Sequence, residues 1–369
     1  MWGADIKTPR LWGPPIRAVV GSAPHHEISS DPFVQSCPHH EVTGWLPMTW
    51  TAQARPDAVT TVGIVGAGVI GGGWVAKFLA QGYDVVAWDP APDSAEKLQR
   101  LLDIAWPSLE QLGLAVGASR ERLRLVETLE EVAQAADVIQ ENCPEILQLK
   151  IDTLAAIDAA APVGVPILSS TSGYAMTDMQ VGCAHPERLV VGHPFNPPYL
   201  VPLVEVVGGR QTDPAVVDWA LDFYTCAGKK ALRCSNELPG FVANRLQDAV
   251  WREMLHMVAN GEATVEECDT ALVYGPGVRW AQMGAGLTFH LAGGEGGMGH
   301  MLDHFGDSLL EPWTRLEAPL LTPELRDAMV QGCEDEAAGR SIQDLQRQRD
   351  AFLVELLKVL ETHHADPVR

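Results

Sequence analysis

The stretch from Thr61 to Gly71 constrains the fold of this 369-residue chain more than any other. It begins with the short apolar run TVGIV, continues with GAGVIG, and leads into a helical segment that ends near residue 82. Glycines at this spacing allow a tight turn, a close approach of the backbone to a pyrophosphate, and close packing of helix on strand. The helix N-terminus then faces the phosphates. The pattern predicts a dinucleotide-binding turn formed by Gly66, Ala67, Gly68, Val69, Ile70 and Gly71.

An acidic residue, Asp89, closes the second predicted strand at 84–89. Its carboxylate can accept hydrogen bonds from the adenosine ribose hydroxyls, and it would repel the 2′-phosphate of NADP. The residues that follow, PAP at 90–92, supply no cation to offset that repulsion. NAD is therefore the predicted cofactor. The alternative is a glycine-rich turn that binds nothing, and it is less favoured because strand, helix and acid all accompany the motif.

Strands and helices continue to alternate as far as residue 169. Further strands are predicted at 136–140 and 165–169, and further helices at 147–160 and from Asp93, where Glu96 completes a capping box. Pro107 is expected to interrupt the helix that starts at Asp93. The predicted fold class is α/β, with an N-terminal doubly wound Rossmann-type parallel sheet followed by an all-helical C-terminal domain.

Helical periodicity replaces this alternation after residue 238. Apolar residues recur at helical spacing in 241–258 and 341–360, and Thr264 with Glu267 forms a second capping box. The first 58 residues contain many prolines and no periodicity. We therefore predict three regions, which are a disordered or loosely packed extension at 1–58, an NAD-binding Rossmann domain at 59–237, and a helical substrate-binding and dimerisation domain at 238–369.

The net charge and the cysteine content limit the classes of binding partner and the cellular compartment that are expected. The net charge of −22 opposes binding to nucleic acid or to anionic membranes, so a small-molecule substrate is expected. Seven cysteines without a CxxC pair favour free thiols in a reducing compartment. The N-terminus has no charged segment followed by an apolar one, so we expect a cytoplasmic protein. The histidines near Cys37 lack the paired spacing of a zinc site, and no metal is predicted.

A second informative stretch is GHPFNPPYLVPLVEVV, residues 192–207. A strand leads into His193, prolines force an irregular turn, and a returning strand carries Glu205. The turn can bring the carboxylate beside the imidazole, where it would fix the tautomer and stabilise the cation formed when the imidazole takes a proton. A buried structural histidine is the alternative. The nearby nicotinamide site favours a general base, because removing a hydride from an alcohol requires a base for the hydroxyl proton.

The motif GHPFNP, with Glu205 downstream, resembles the signature of the 3-hydroxyacyl-CoA dehydrogenase family. STSG at 170–173 and GFVANR at 240–245 are also similar to it, and the likeness covers the chain from about residue 60 to its C-terminus. The resemblance implies that His193 is the catalytic base and Glu205 its partner. It implies that Ser172 and Asn244 hydrogen-bond the reacting oxygen. The residues it implies for the nicotinamide half of NAD are Asn196, Glu145 and Lys150, although a helix-end ion pair would explain the last two equally well.

The C-terminal domain resembles the branch of this family that oxidises L-carnitine. The resembling stretches are VRWAQMG at 278–284, LAGGEGGM at 291–298, PWT at 312–314 and AAGRS at 337–341. Aromatic faces bind a quaternary ammonium through cation–π attraction, and a cation should hold the carboxylate. The candidates are Phe195, Tyr199 and Trp280 for the ammonium and Arg279 for the carboxylate. Ordinary core packing is the alternative for each aromatic residue.

The predicted activity is the NAD-dependent oxidation of the 3-hydroxyl of L-carnitine to 3-dehydrocarnitine. Coenzyme A would need cations on the helical arm after the second strand, and residues 94–116 hold only Lys97 and Arg100 among several acids. The alternatives are a short-chain 3-hydroxyacyl-CoA dehydrogenase, an L-gulonate 3-dehydrogenase, and an NAD-binding structural or sensor protein. Apolar stripes on the C-terminal helices favour a homodimer, although an intrachain core would also explain them.

Overall fold

The protein, seen in a computed structural model that describes residues 50–305, 314, 320 and 322–363, contains one eight-stranded sheet. The strands are β1 (Thr61–Val65), β2 (Asp84–Trp88), β3 (Leu123–Leu125), β4 (Val138–Glu141), β5 (Ile167–Ser169), β6 (Leu189–Pro194), β7 (Leu203–Gly208) and β8 (Lys230–Cys234). Their order across the sheet is β3-β2-β1-β4-β5-β6-β7-β8. Neighbouring strands are parallel except for β6 and β7, which are antiparallel. The order of the first six strands is that of a doubly wound dinucleotide-binding sheet.

Helices cover both faces of this sheet. Those of the N-terminal part are α1 (Val69–Ala80), α2 (Ser94–Leu112), α3 (Leu129–Ala135), α4 (Leu147–Ala160), α5 (Met176–Met179) and α6 (Pro214–Cys226). One buried cluster includes Val62, Ile64 and Trp74, and a second includes Val65, Ile139 and Val191. Because both faces are buried, the central strands β1, β5 and β6 are largely apolar rather than alternating.

The C-terminal part of the described chain is helical. Its helices are α7 (Ala243–Ala259), α8 (Val265–Leu272), α9 (Val278–Ala292), α10 (Gly297–Phe305), α11 (Pro323–Ala337) and α12 (Ile342–His363). Thr264 and Glu267 form the predicted capping box of α8. The predicted fold class is confirmed. In the described part of the chain, no helix combines the length and the apolarity needed to cross a bilayer.

Helix α12 packs back onto the sheet domain rather than onto the other C-terminal helices alone. Val354 is fully buried within the same cluster as residues of α1 and α2. The hydroxyl of Tyr199 donates to Asp350 Oδ2 at 2.6 Å, and both side chains are buried. The buried face of α12 thus runs through Asp350 and Val354, which lie outside the predicted apolar stripe. Of the stripe residues, Leu353 packs partly buried against the same cluster, whereas Phe352 is 65% exposed.

Two local predictions for α2 are wrong. Pro107 lies inside α2 and does not interrupt it, because Trp106 and Leu109 are buried on either side and their packing outweighs one lost backbone hydrogen bond. Asp93 precedes the helix but caps no backbone group with its side chain. Its carboxylate instead lies 2.7 Å from Lys97 Nζ.

The described end of the predicted N-terminal extension lies against the sheet domain. Trp50 donates its backbone N–H to Asp213 Oδ2 at 2.9 Å, and Gln53 donates to the Gly164 carbonyl at 2.8 Å. Trp219 Nε1 donates to the carbonyl of Ala54 at 2.8 Å. Residues 1–49 of that predicted extension lie outside the described residues.

Candidate active site

The glycine-rich turn joins β1 to the N-terminus of α1. A Cβ atom added to Gly71 would lie 1.8 Å from the Gly66 carbonyl oxygen, so the turn and the helix approach too closely for any side chain there. A Cβ atom added to Gly68 would meet no atom within 4 Å, so open space lies beside the backbone at that point. These are the features that a pyrophosphate at a helix N-terminus requires.

Asp89 lies at the end of β2 and braces the turn. Its Oδ2 accepts the backbone N–H of Ala67 at 2.7 Å, and its Oδ1 accepts that of Ala91 at 2.9 Å. The sequence predicted Asp89 as a ribose ligand but did not reveal this second contact with the turn. Each carboxylate oxygen keeps a lone pair for a further donor.

A cavity of about 630 Å³ extends along the carboxyl ends of the strands. Its lining includes Gly66, Gly68, Val69, Ile70, Asp89, Glu145, Ser172 and His193. In doubly wound sheets, this edge is where dinucleotides bind. The turn, the acid and the cavity therefore fit NAD, and the imidazole of His193 faces the same space.

His193 and Glu205 form a direct pair across the antiparallel strands β6 and β7. The two residues stand opposite each other in the register, and His193 Nδ1 lies 2.9 Å from Glu205 Oε2. The His193 side chain is only 6% exposed and that of Glu205 is fully buried. With Nδ1–H donated to the carboxylate, Nε2 carries the lone pair of the neutral ring.

The other oxygen of Glu205 holds the start of α7. Oε1 accepts the backbone N–H groups of Val242 and Ala243, both at 2.9 Å. Burial raises the pKa of Glu205, but the hydrogen bonds from His193 and from these two N–H groups outweigh it, and the net pKa lies below the ordinary value. Glu205 is therefore ionised at neutral pH.

Ser172 and Asn244 also meet at this place. Ser172 lies in the loop after β5, and its carbonyl accepts a hydrogen bond from Asn244 Nδ2 at 2.9 Å. Asn244 lies in the first turn of α7, two residues after Val242. The geometry thus brings together the four residues predicted to be catalytic, although their sequence positions span 172–244.

Glu145 fixes the loop that carries Ser172. Its Oε1 accepts from Thr171 Oγ1 at 2.7 Å, from Ser172 N at 3.0 Å and from Gly173 N at 3.2 Å. Glu145 Oε2 lies 3.5 Å from Lys150 Nζ, which is the helix-end ion pair predicted as the alternative to a cofactor contact. Its position in the cavity lining permits that contact as well.

The structure places two of the predicted ligands elsewhere. Lys150 is 1% exposed and does not line the cavity, because its Nζ donates to Glu141 Oε1 and to the Cys143 carbonyl, both at 3.0 Å. It lies 3.5 Å from Glu145 Oε2, behind the cavity wall. Tyr199, predicted for the substrate pocket, is buried in the core and bonded to Asp350.

The remaining predicted ligands differ in position. The ring of Phe195 lies 4.9 Å from that of His193, so Phe195 borders the site. Asn196 is exposed and lies outside the cavity lining. Arg279 and Trp280 lie exposed on α9, and among the described residues no hydrogen bond or ring contact joins them to His193.

Two further residues near the predicted catalytic group were not predicted from the sequence. Phe241 is 1% exposed, and its ring lies 5.5 Å from that of His193, with a positive φ of 54° that is uncommon outside glycine. Arg245 lies with Asn244 in a second cavity of about 490 Å³, which also contains Asp248 and Arg252. The motif GFVANR contains both residues, but its letters do not show that Phe241 packs against His193 or that Arg245 shares a cavity with Asn244.

Two family models match the chain. The model for the NAD-binding domain of 3-hydroxyacyl-CoA dehydrogenase matches residues 61–238, and the model for the C-terminal domain of that enzyme matches residues 240–334. Similar proteins include L-carnitine dehydrogenases from Nocardiopsis dassonvillei, 63% identical over 85% of this chain and 95% of that protein, and from Pseudomonas putida, 49% identical over 83% and 96%.

Solved structures share the same architecture. The NAD-dependent 5-formyl-3-hydroxy-2-methylpyridine 4-carboxylic acid 5-dehydrogenase has a TM-score of 0.71 and 27% identity, covering 82% of this chain and 99% of its own. The (S)-3-hydroxybutyryl-CoA dehydrogenase from Ralstonia eutropha has a TM-score of 0.54 and 25% identity, covering 76% of this chain and 95% of its own.

Proposed function

The chain belongs to the 3-hydroxyacyl-CoA dehydrogenase family, and on that premise we propose that it oxidises the 3-hydroxyl of L-carnitine to 3-dehydrocarnitine with NAD. The observation that carries the chemistry is the buried His193–Glu205 pair facing the cavity of the glycine-rich turn. The substrate follows from the similar proteins named L-carnitine dehydrogenase, which match nearly their whole length.

His193 is the proposed general base. Because Glu205 occupies Nδ1, Nε2 is the nitrogen that takes the proton from the substrate hydroxyl. The ionised carboxylate then stabilises the imidazolium. The N–H groups of Val242 and Ala243 keep that carboxylate in place while the charge forms.

Ser172 and Asn244 are proposed to hydrogen-bond the reacting oxygen. Their contact fixes them relative to each other, and Glu145 holds the Ser172 loop through three hydrogen bonds. Such a fixed pair of donors can orient the oxygen toward His193 without rearranging during the reaction.

NAD would be held by the turn at Gly66–Gly71 and by Asp89, with Glu145 in the lining of the same cavity. When bound, NAD supplies the acceptor for the hydride on carbon 3 of the substrate. Asn196 and Lys150 remain predictions for the nicotinamide half, and the position of Lys150 favours an indirect role through Glu145.

The two charged ends of L-carnitine require an aromatic face and a cation. Phe195 is the proposed aromatic contact for the trimethylammonium, because it borders His193. For the carboxylate, Arg245 shares a cavity with Asn244, whereas the predicted Arg279 lies on α9. We therefore add Arg245 to the candidates for this end.

The charges on α2 oppose a CoA ester as the substrate. Lys97 lies 2.7 Å from Asp93, and Arg100 lies 3.6 Å from Glu96. Lys97 and Arg100 are thus both paired with carboxylates, and they are poorly placed to attract the phosphates of coenzyme A.

The exposed apolar side chains of the C-terminal helices support a homodimer. No described residue of α7 is buried, and two of its large apolar side chains, Trp251 and Leu246, are 47% and 68% exposed. On α9, Leu287 and Leu291 are 58% and 62% exposed. A second copy of the chain would cover such faces. We also propose a cytoplasmic location, since Cys143, Cys183, Cys226, Cys234 and Cys268 are free thiols.

The proposed function is tested by NADH formation with NAD and one of four substrates, namely L-carnitine, D-carnitine, 3-hydroxybutyryl-CoA and L-gulonate. Turnover of L-carnitine far above the other three is expected. Preferential turnover of the CoA ester or of L-gulonate would leave the His193–Glu205 chemistry in place and would overturn the substrate. Turnover of none of the four would favour a binding protein.

A further inference from the structure

The loop at residues 195–202 joins the strand that carries His193 to the strand that carries Glu205. Its central residues Pro197, Pro198, Tyr199 and Leu200 are buried. Prolines donate no hydrogen bond, and this irregular loop lies beyond the paired residues of β6 and β7. Within the loop, the Pro197 carbonyl accepts the backbone N–H groups of Leu200 and Val201. The Pro198 and Val201 carbonyls receive their donors from another part of the chain.

Lys229 supplies those donors. It lies in the turn between α6 and β8 and is 3% exposed. Its Nζ donates to the Pro198 carbonyl at 2.7 Å and to the Val201 carbonyl at 2.5 Å. The same nitrogen lies 5.1 Å from the ring centroid of Trp74 on α1. One side chain thus ties both halves of the loop to the helix that begins at the glycine-rich turn.

The turn that holds Lys229 is itself fixed to the same strands. Lys229 donates its backbone N–H to the Tyr224 carbonyl, and Lys230 donates to the Pro202 carbonyl, both at 2.9 Å. From there β8 runs parallel to β7, with Leu232 opposite Glu205. The Lys229 ammonium and the backbone N–H of Lys230 therefore hold the end of the loop that leads into β7, the strand that carries Glu205.

Burial and the neighbouring charge of Lys77 both change the pKa of the Lys229 amine. Burial lowers the pKa of Lys229 well below its ordinary value, and the Lys77 ammonium lowers it further. Both the charged and the neutral amine keep at least two N–H groups, so both can make the two hydrogen bonds. The contact therefore persists across the working pH range.

We propose that Lys229 is a positioning residue for catalysis, which holds the 195–202 loop so that the side chains of His193 and Glu205 stay paired. This inference rests on the proposed roles of those two residues. If the loop is released, the imidazole, the carboxylate and the adjacent Phe195 can all shift. A misplacement of about 1 Å at a reacting group can cost roughly 100-fold in rate.

The test compares Lys229→Met with the matched control Lys230→Met. Methionine keeps an unbranched apolar stem over Trp74 and removes both donors, whereas Lys230 is the adjacent residue and its side chain is exposed. For both variants, kcat, KM, the dissociation constant of NAD and the pH profile of kcat/KM are measured below the unfolding temperature.

We expect Lys229→Met to lower kcat about 10- to 100-fold while NAD affinity changes little. The acid limb of its kcat/KM profile should move to lower pH, because the imidazolium loses part of the stabilisation that the carboxylate gives it. Lys230→Met should match the unsubstituted enzyme in every measurement.

A merely structural lysine would give another result. Lys229→Met would then melt at a lower temperature while its kcat and acid limb stayed unchanged, and this outcome overturns the inference. If Lys229→Met does not fold, Lys229→Leu, which also removes both donors, is measured in the same way, and an unmoved acid limb again overturns it. Failure of the unsubstituted protein to oxidise L-carnitine is a separate result, which removes the proposed substrate. The same comparison then uses whichever of the four substrates is turned over.

Discussion

Two carboxylates organise the site at the scale of single residues. Glu205 uses one oxygen for His193 and the other for the first N–H groups of α7. Glu145 gathers three donors of the 171–173 loop on one oxygen. Glu205 therefore fixes the start of a helix, and Glu145 fixes a loop that lacks regular structure.

The ionised Glu205 should make stability depend on pH. Its pKa lies below the ordinary value of 4.5, so its contribution to folding is complete above that value and is lost as pH falls through the lower native pKa. We expect Glu205→Gln to lower the free energy of unfolding by about 1–3 kcal/mol at neutral pH. The difference from the unsubstituted protein should shrink in acid. Urea unfolding at both pH values measures it, and a difference that does not change with pH would contradict the assignment.

Substitutions of Arg245 and of Arg279 should have different effects on the binding of the substrate carboxylate. Arg245 shares a cavity with Asn244, so Arg245→Ala should raise KM for L-carnitine about 10- to 100-fold, the loss of one charge-assisted hydrogen bond. Arg279→Ala should leave KM nearly unchanged. Steady-state kinetics with saturating NAD decide between them, and the reverse ranking would restore Arg279 as the ligand.

At the scale of elements, the sequence predicted the central strands and missed the edges of the sheet. β1 has the predicted bounds, and β2 ends one residue before the predicted Asp89. β3 and β8 were not predicted, and they are the two edge strands, with exposed and charged residues in place of a continuous apolar run. Hydrophobic pattern identifies strands buried on both faces and fails where one edge contacts solvent.

The same limit applies to the site. Motifs predicted which residue types meet near His193, because GHPFNP, STSG and GFVANR each lie at the end of an element. They did not predict which way a side chain points. Tyr199 pairs with Asp350, which lies 151 positions away, and no local pattern contains that contact.

Tyr199 should therefore affect stability rather than substrate binding. Tyr199→Phe removes the hydroxyl that donates to Asp350, a side chain that is 3% exposed. Among the described residues, Arg349 remains as the side-chain hydrogen-bond partner of Asp350. We expect a loss of about 1–3 kcal/mol in the free energy of unfolding, with KM for L-carnitine unchanged. Chemical denaturation and kinetics on one preparation test this. A KM raised tenfold without a loss of stability would return Tyr199 to the substrate pocket.

At the scale of the whole molecule, the net charge and the exposed apolar side chains have opposite effects on association between chains. The net charge of −22 keeps chains apart in solution, while the C-terminal helices expose large apolar side chains such as Trp251 and Leu291. Association through those helices would bury apolar area and offset the repulsion between two acidic chains.

The proposed homodimer predicts a clear effect of one substitution. Trp251→Glu places a charge on the exposed apolar face of α7 and should convert a particle with the mass of two chains into one with the mass of a single chain. Val116→Glu, at a fully exposed apolar residue before β3, is the matched control and should stay dimeric. Light scattering after size exclusion measures both masses. A dimer that survives Trp251→Glu would place the interface elsewhere.

The central claim is that His193 takes the hydroxyl proton of L-carnitine in a site that binds NAD independently of that residue. The most direct measurement compares L-carnitine-dependent NADH formation and NAD affinity in the unsubstituted protein and in His193→Ala. We predict that turnover falls by about 10²- to 10⁴-fold while the dissociation constant of NAD stays nearly the same. Turnover that survives the substitution within a factor of about ten, well short of the loss expected for a general base, would contradict the account.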